Sequence, residues 1–297
     1  MTGSHRYYQL DVFSGQLLKG NPLAVVLDAS GLNSSMMQAI ARWTNLSETS
    51  FLLPPTRPDA DYRVRIFTPR QELPFAGHPS VGSAYVAIEA GLIEDGRSEF
   101  MQECAAGLLP IHVEGRGTAR RIHVQAPAAL VHEVDAATLA ALGHALGHRL
   151  DATAVHRVDN GPRWLICDLH EDVAVRCLKP DLTRLARLCL EQEVVGVSVF
   201  GASSEPDLAM AVRAFCPADS VPEDPVTGSA NAAIAAALLR RGELDRYGCR
   251  YRASQGREVG RDGIVDVSVA PATATITIGG ACAPGVRGML SLKGTSE

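Results

Sequence analysis

Two short segments of this chain carry residue types suited to holding an anion. Pro79-Ser80-Val81-Gly82-Ser83-Ala84 and Pro225-Val226-Thr227-Gly228-Ser229-Ala230 share the pattern P-x-x-G-S-A, preceded by His78 in one copy and Asp224 in the other. Proline in the first turn of a helix forfeits no hydrogen bond, and glycine lets a ligand approach the backbone. The N–H groups at such a helix start, with the macrodipole, form an anion site. A histidine and an aspartate then occupy equivalent places around a site suited to a small carboxylate-bearing molecule. Taken singly, each segment also reads as an ordinary helix start, with Asp224 and Ser229 as caps and His78 as a core residue. Their pairing favours the site.

The flanking elements repeat as well. Each segment follows a strand ending in Phe-x-Pro, Phe67-Thr68-Pro69 or Phe215-Cys216-Pro217, and each opens an Ala-rich helix. Duplication of one α/β unit explains this, and a pseudo-twofold axis would point both helix starts at one cleft. Elsewhere the chain reads as many short strands with helices inserted at intervals. Tyr7–Phe13 and Leu23–Asp28 are strand-like around a Gly20-Asn21-Pro22 turn, and Tyr62–Phe67 alternates with period two. Helical spacing spans Asn33–Trp43, Val81–Ala90, Ala136–Leu150, Leu182–Glu191 and Ala230–Arg241. The Arg116–Arg120 composition shift is the best domain boundary. It divides the chain into 1–117 plus 284–297 and 118–283.

Composition excludes several other functions. The chain has 297 residues, 46% hydrophobic and 21% charged, which is globular rather than disordered. Its 28 basic against 33 acidic residues argue against nucleic-acid binding. No apolar run approaches the ~20 residues that span a bilayer, so no membrane association is expected. Seven cysteines, without a short-spaced pair, suit the cytoplasm and read as small core residues. His144 and His148 have i,i+4 spacing but no third ligand, and a solvated helix face is expected rather than zinc. The leading Met1-Thr2-Gly3-Ser4-His5 is given no role.

Longer blocks resemble one family. Asp11-Val12-Phe13, Gly20-Asn21-Pro22-Leu23-Ala24-Val25, Asn45-Leu46-Ser47-Glu48-Thr49-Ser50-Phe51, Gly77-His78-Pro79 and Glu223-Asp224-Pro225-Val226-Thr227-Gly228-Ser229-Ala230 occur in order. They resemble the PhzF-like (phenazine biosynthesis) isomerases, relatives of diaminopimelate epimerase. The resemblance implies an α+β fold of two pseudo-symmetric domains. Each would be a curved, mostly antiparallel, barrel-like sheet around a central helix, with the active site in the cleft between them. It also implies a homodimer, and chemistry with no metal and no cofactor. Ser80 stands where the family more often has Thr, and Ser220 where a Gly often precedes Glu-Asp-Pro.

The resemblance carries catalytic positions onto Glu48, His78 and Asp224, with Glu48 as the principal proton carrier. Asn21, Gly77, Ser80, Gly228 and Ser229 fall in the matched blocks as substrate-binding candidates. Arg261, in the Gly-Arg that follows Gln255-Gly256, could pair a substrate carboxylate bidentately, or be a hairpin charge. One carboxyl can remove a proton and return it if the substrate stays bound, and enclosure would raise its pKa. The expected activity is a proton shift between carbons of a small carboxylate-bearing metabolite. The alternatives are an amino-acid epimerase with Glu48 opposed by Asp224 or His78, and a binding protein that lost turnover. The related racemases use a thiol pair, but neither repeated motif here holds a cysteine, which disfavours that chemistry.

Overall fold

The computed structural model describes residues 3–219 and 221–292. Met1, Thr2 and Ser220, the departure from the family pattern noted above, lie outside the described residues. The chain folds as two compact units, Met1–Val124 with Gly279–Glu297, and Gln125–Ile278. The Arg116–Arg120 stretch is a turn inside the first unit, because the next strand pairs straight back with Arg121 opposite Glu114.

The first unit contains β1 (Gly3–Val12), β2 (Asn21–Val26), α1 (Ser34–Thr44), β3 (Glu48–Leu53) and β4 (Tyr62–Phe67). The two-residue β5 (Glu72–Leu73), α2 (Gly77–Glu89), β6 (Glu99–Cys104), β7 (Gly107–Glu114) and β8 (Arg121–Gln125) follow. The second unit runs through β9 (Leu130–Glu133), α3 (Ala136–Leu146), β10 (Val155–Asp159), β11 (Arg163–Glu171), α4 (Asp172–Arg176) and α5 (Leu182–Glu191). It continues with β12 (Gly196–Ala202), β13 (Met210–Cys216), β14 (Val221–Asp224), α6 (Gly228–Arg241), β15 (Arg250–Gln255), β16 (Gly263–Ala270) and β17 (Thr275–Gly280). Finally β18 (Cys282–Leu292) rejoins the first unit, antiparallel to β1. Gly3, Ser4 and His5 are therefore part of a paired strand, although the sequence offered them no role.

Strand pairing makes the duplication explicit. In the first unit β1–β2 is antiparallel, β2–β3 parallel, β3–β4 antiparallel, β4–β6 parallel and β6–β7 antiparallel. In the second unit β10–β11, β11–β12, β12–β13, β13–β15 and β15–β16 repeat that order of directions. Each parallel pair needs a crossover, and helices occupy these connections in both halves. Phe51 and Leu53 of β3 pack on Met37 and Ile40 of α1, and Phe51 meets Phe67 edge-on at 5.5 Å. Leu185 and Leu188 of α5 share a core with Val197 and Val199 of β12 in the same way.

The other helix of each half, α2 or α6, is central. Residues Gly77 to Ile88 of α2 are all buried, against β1, β2, β3 and β4. Such a helix must be apolar or small on every side, and Gly-Ser-Val-Ala composition meets that need. Ten of the fourteen residues of α6 are likewise buried, against β9, β10, β11 and β16. Local signals set several ends. Asn33 Oδ1 accepts from Met36 N to cap α1, and Asp181 Oδ1 accepts from Arg184 N to cap α5. Left-handed Asn45 and Gly242 close α1 and α6.

Candidate active site

Glu48 opens β3 opposite Leu23 of the parallel strand β2. On either side of it in the chain, the Thr44 and Thr49 hydroxyls lie 2.8 Å apart and tie the end of α1 to β3. Asn21, nearly inaccessible, opens β2 and accepts from the Ser47 hydroxyl at 3.4 Å. His78 is the second residue of α2, and its Nε2 stands 3.5 Å from Glu48 Oε2. The side chains are 6% and 17% exposed. Glu48 Oε2 is buried and has no hydrogen-bond partner among the described residues. Burial pushes the Glu48 carboxyl up to about 7, with the Ser47 hydroxyl opposing the rise. A carboxyl poised there holds both protonation states at neutral pH, as a group that takes and returns a proton requires.

Gly77 and Ser80 are also in the first turns of α2 and buried. The Ser80 hydroxyl donates to Ala76 O and accepts from Gln102 Nε2, while Gln102 Oε1 accepts from Tyr62. These bonds tie the first turn of α2 to β6 and, through Gln102, to β4.

In the second unit Asp224 ends β14 and α6 begins at Gly228. Thr227 Oγ1 donates to Asp224 Oδ2 at 2.5 Å. Ser229, half-buried, presents its carbonyl to Asn160 Nδ2 at 2.9 Å. Arg261 is half-buried, with its N–H bonded to Gly256 O. Glu223 receives both Nε and Nη2 of Arg213, and the side chains are 9% and 8% exposed.

The equivalence drawn from the letter pattern needs correction. In hydrogen-bonding terms α2 starts at Gly77 behind Ala76, and α6 at Gly228 behind Thr227. Ser80 N bonds Ala76 O, and Asn231 N bonds Thr227 O. His78 therefore corresponds to Ser229, and Asp224 lies ahead of its helix with no counterpart role in the first unit's helix turn. The P-x-x-G-S-A match places Pro79 inside one helix and Pro225 before the other. The duplication is real, but its phase follows the helix starts.

Strand register extends the comparison to Glu48. Thr49 pairs with Phe67 and Val197 with Phe215, while Glu48 pairs with Leu23 and Gly196 with Trp164. Glu48 thus corresponds to Gly196. A Cβ on Gly196 would sit 2.4 Å from Phe215 O and 2.8 Å from both Cys216 Sγ and Trp164 Cζ3. No carboxylate fits there, so the duplicated fold carries this acid on one side only. Gly196→Ala should lower stability by about 1–3 kcal/mol, read as a lower urea midpoint at unchanged slope.

Two further sequence readings change. The helix α3 ends at Leu146 with left-handed Gly147, so His148 is off the helix that His144 shares. Cys177 and Cys249 are exposed rather than core, whereas Cys104, Cys167 and Cys189 are buried. Burial raises the Cys189 thiol to about 11, away from thiolate chemistry. The sequence missed Asn160, Arg213 and Thr227. The Asn160-Gly161-Pro162 turn between β10 and β11, echoing Gly20-Asn21-Pro22, was the available signal for Asn160.

Fold and site together describe a duplicated epimerase-type α+β enzyme with a buried, proton-poised carboxylate. Residues 10–288 match the family described as "Phenazine biosynthesis-like protein" (PhzC-PhzF). A Pseudomonas aeruginosa protein named trans-2,3-dihydro-3-hydroxyanthranilate isomerase is 36% identical over 260 residues, covering 86% of this chain and 87% of that one. "Antisense-enhancing sequence 1" of Schizosaccharomyces pombe is 35% identical over 270 residues, 89% of this chain and 90% of that one. The crystal structure of a PhzF-family phenazine biosynthesis protein from Bacillus anthracis superposes with a TM-score of 0.83 at 26% identity. That superposition covers 97% of this chain and 99% of the other. The chain belongs to the phenazine biosynthesis-like family and is an isomerase. No described helix is long and apolar enough to cross a membrane.

Proposed function

We propose that the protein shifts a proton between carbons of a small carboxylate-bearing metabolite by general acid–base catalysis, without a cofactor. Glu48 takes the proton from one carbon, and the electron pair left behind delocalises into the adjoining π system and carboxylate. The protonated Glu48 then returns the proton to another carbon of the same system, so the atoms balance. The observation that carries this reading is the buried Glu48 carboxyl, held at about 7 and 3.5 Å from His78. Such acid–base work contributes about 10²–10⁴ in rate. His78 is read as the polar partner of the carboxyl. Asp224 is read as a catalytic group that handles the substrate, and Asn21, Gly77, Ser80, Gly228, Ser229 and Arg261 as substrate-binding groups.

A single carboxyl in this role favours return to the face from which the proton left, which is an allylic shift. Gly196 leaves no second carboxylate at the position equivalent to Glu48, so the epimerase alternative rests on Asp224 or His78 as the opposed base. The P. aeruginosa relative's name makes trans-2,3-dihydro-3-hydroxyanthranilate the first compound to test. In D₂O, proton NMR should show deuterium entering one ring carbon as the double bond moves. Inversion of a centre without migration would instead establish the epimerase reading. The family resemblance also favours a cytoplasmic homodimer, which sedimentation at micromolar concentration would test for assembly.

A further inference from the structure

Gln255, fully buried at the end of β15, uses all four hydrogen-bonding positions of its amide on one short segment. Its Oε1 accepts from Thr227 N at 3.0 Å and Asn231 Nδ2 at 3.1 Å. Its Nε2 donates to Asp224 O at 3.0 Å and Thr227 Oγ1 at 2.9 Å. The orientation of the amide is thereby determined, because a backbone N–H can meet only its oxygen and a backbone carbonyl only its nitrogen. A consequence follows for Thr227. Its hydroxyl already accepts from Gln255, so its single proton goes to Asp224 Oδ2.

The next residue reinforces the contact. Gly256 has φ +97°, and a Cβ there would lie 2.4 Å from Pro225 O. The strand end therefore lies directly against the Asp224–Thr227 turn, where only glycine fits.

We propose that Gln255, acting through the Thr227 hydroxyl, is the positioning residue that orients Asp224 and keeps its carboxylate an acceptor. This rests on the reading of Asp224 as a substrate-handling group in the proton shift. Without Gln255 the Thr227 hydroxyl can rotate and accept elsewhere, and the turn before α6 loses three of its ties.

The test uses Thr227→Val, which keeps the shape without the hydroxyl, Thr227→Ser, which keeps the hydroxyl, and Gln255→Met. Protein labelled with ¹³C at the aspartate carboxyl carbon reports the Asp224 signal, identified as the one missing from Asp224→Asn. Turnover of trans-2,3-dihydro-3-hydroxyanthranilate reports kcat and KM. Thr227→Val and Gln255→Met should displace the Asp224 carbon signal and lower kcat by up to about 100-fold. Thr227→Ser should restore both. An Asp224 signal in folded Thr227→Val matching that of the unsubstituted protein would overturn the proposal, as would an unchanged kcat. Should Gln255→Met fail to fold, the two Thr227 variants decide the matter. Should the unsubstituted protein not turn over this compound, its candidacy as the substrate falls, and the carbon signal alone still decides whether Thr227 and Gln255 govern Asp224.

Discussion

Glu48→Gln should sharply slow deuterium exchange into substrate while leaving the protein folded and, above neutral pH, more stable than before. The loss of rate is expected at about 10²–10⁴, the worth of a positioned acid–base group. Ligand-induced thermal stabilisation should survive, since the amide keeps the shape of the side chain. The stability gain has a definite sign. The carboxyl titrates near 7 in the folded protein and at an ordinary 4.5 when exposed. A raised carboxyl favours the folded state fully at pH below 4.5, and that contribution is lost as pH climbs from 4.5 to 7. Above 7 the folded protein carries the cost of a buried charge, about 3 kcal/mol from the linkage relation. Glutamine has no such charge. Urea unfolding of the two proteins at pH 4.5 and pH 8 should therefore converge at the lower pH and separate at the higher. Equal midpoints at both would show that Glu48 is not held in the state described, and normal exchange by the variant would remove it as proton carrier.

Arg213→Met should lower stability by about 3–5 kcal/mol. The guanidinium donates Nε and Nη2 to Glu223 and Nη1 to the carbonyls of Val175 and Leu178. It also lies 4.9 Å from the Phe215 ring centroid. Removing it strands a buried carboxylate, and desolvation then acts without its compensating partner. The Arg213→Met, Glu223→Met double variant should recover much of the loss, because neither charge is left buried alone. The two midpoints in urea check this, and an equally severe double variant would assign the damage to lost carbonyl contacts. Glu223 immediately precedes Asp224, so the single variant should also weaken turnover beyond its effect on folding.

Some of this architecture was legible from residue order alone. The limits of α5 match Leu182–Glu191, and Asn33 caps α1, because capping and amphipathic spacing act within a few residues. The Phe-x-Pro signatures exposed the duplication because both strands occupy the same ladder position. Glu48, His78 and Asp224 were found through motif resemblance, and their residue types alone would also have fitted solvated loops and caps.

The phase of the repeat does not follow the letters, since P-x-x-G-S-A matches residue types while a helix begins where backbone hydrogen bonding begins. Folding decided the rest through contacts between residues far apart in the chain. Glu48 becomes a neutral-range acid only when α2 and β2 bury it and bring His78 to 3.5 Å. Its counterpart is glycine because Trp164 and the Phe215 carbonyl already fill the space. Gln255 reaches back 31 positions to Asp224. Local preference encodes where helices and turns form, whereas burial, proton affinity and hydrogen-bond direction depend on which distant groups packing brings together.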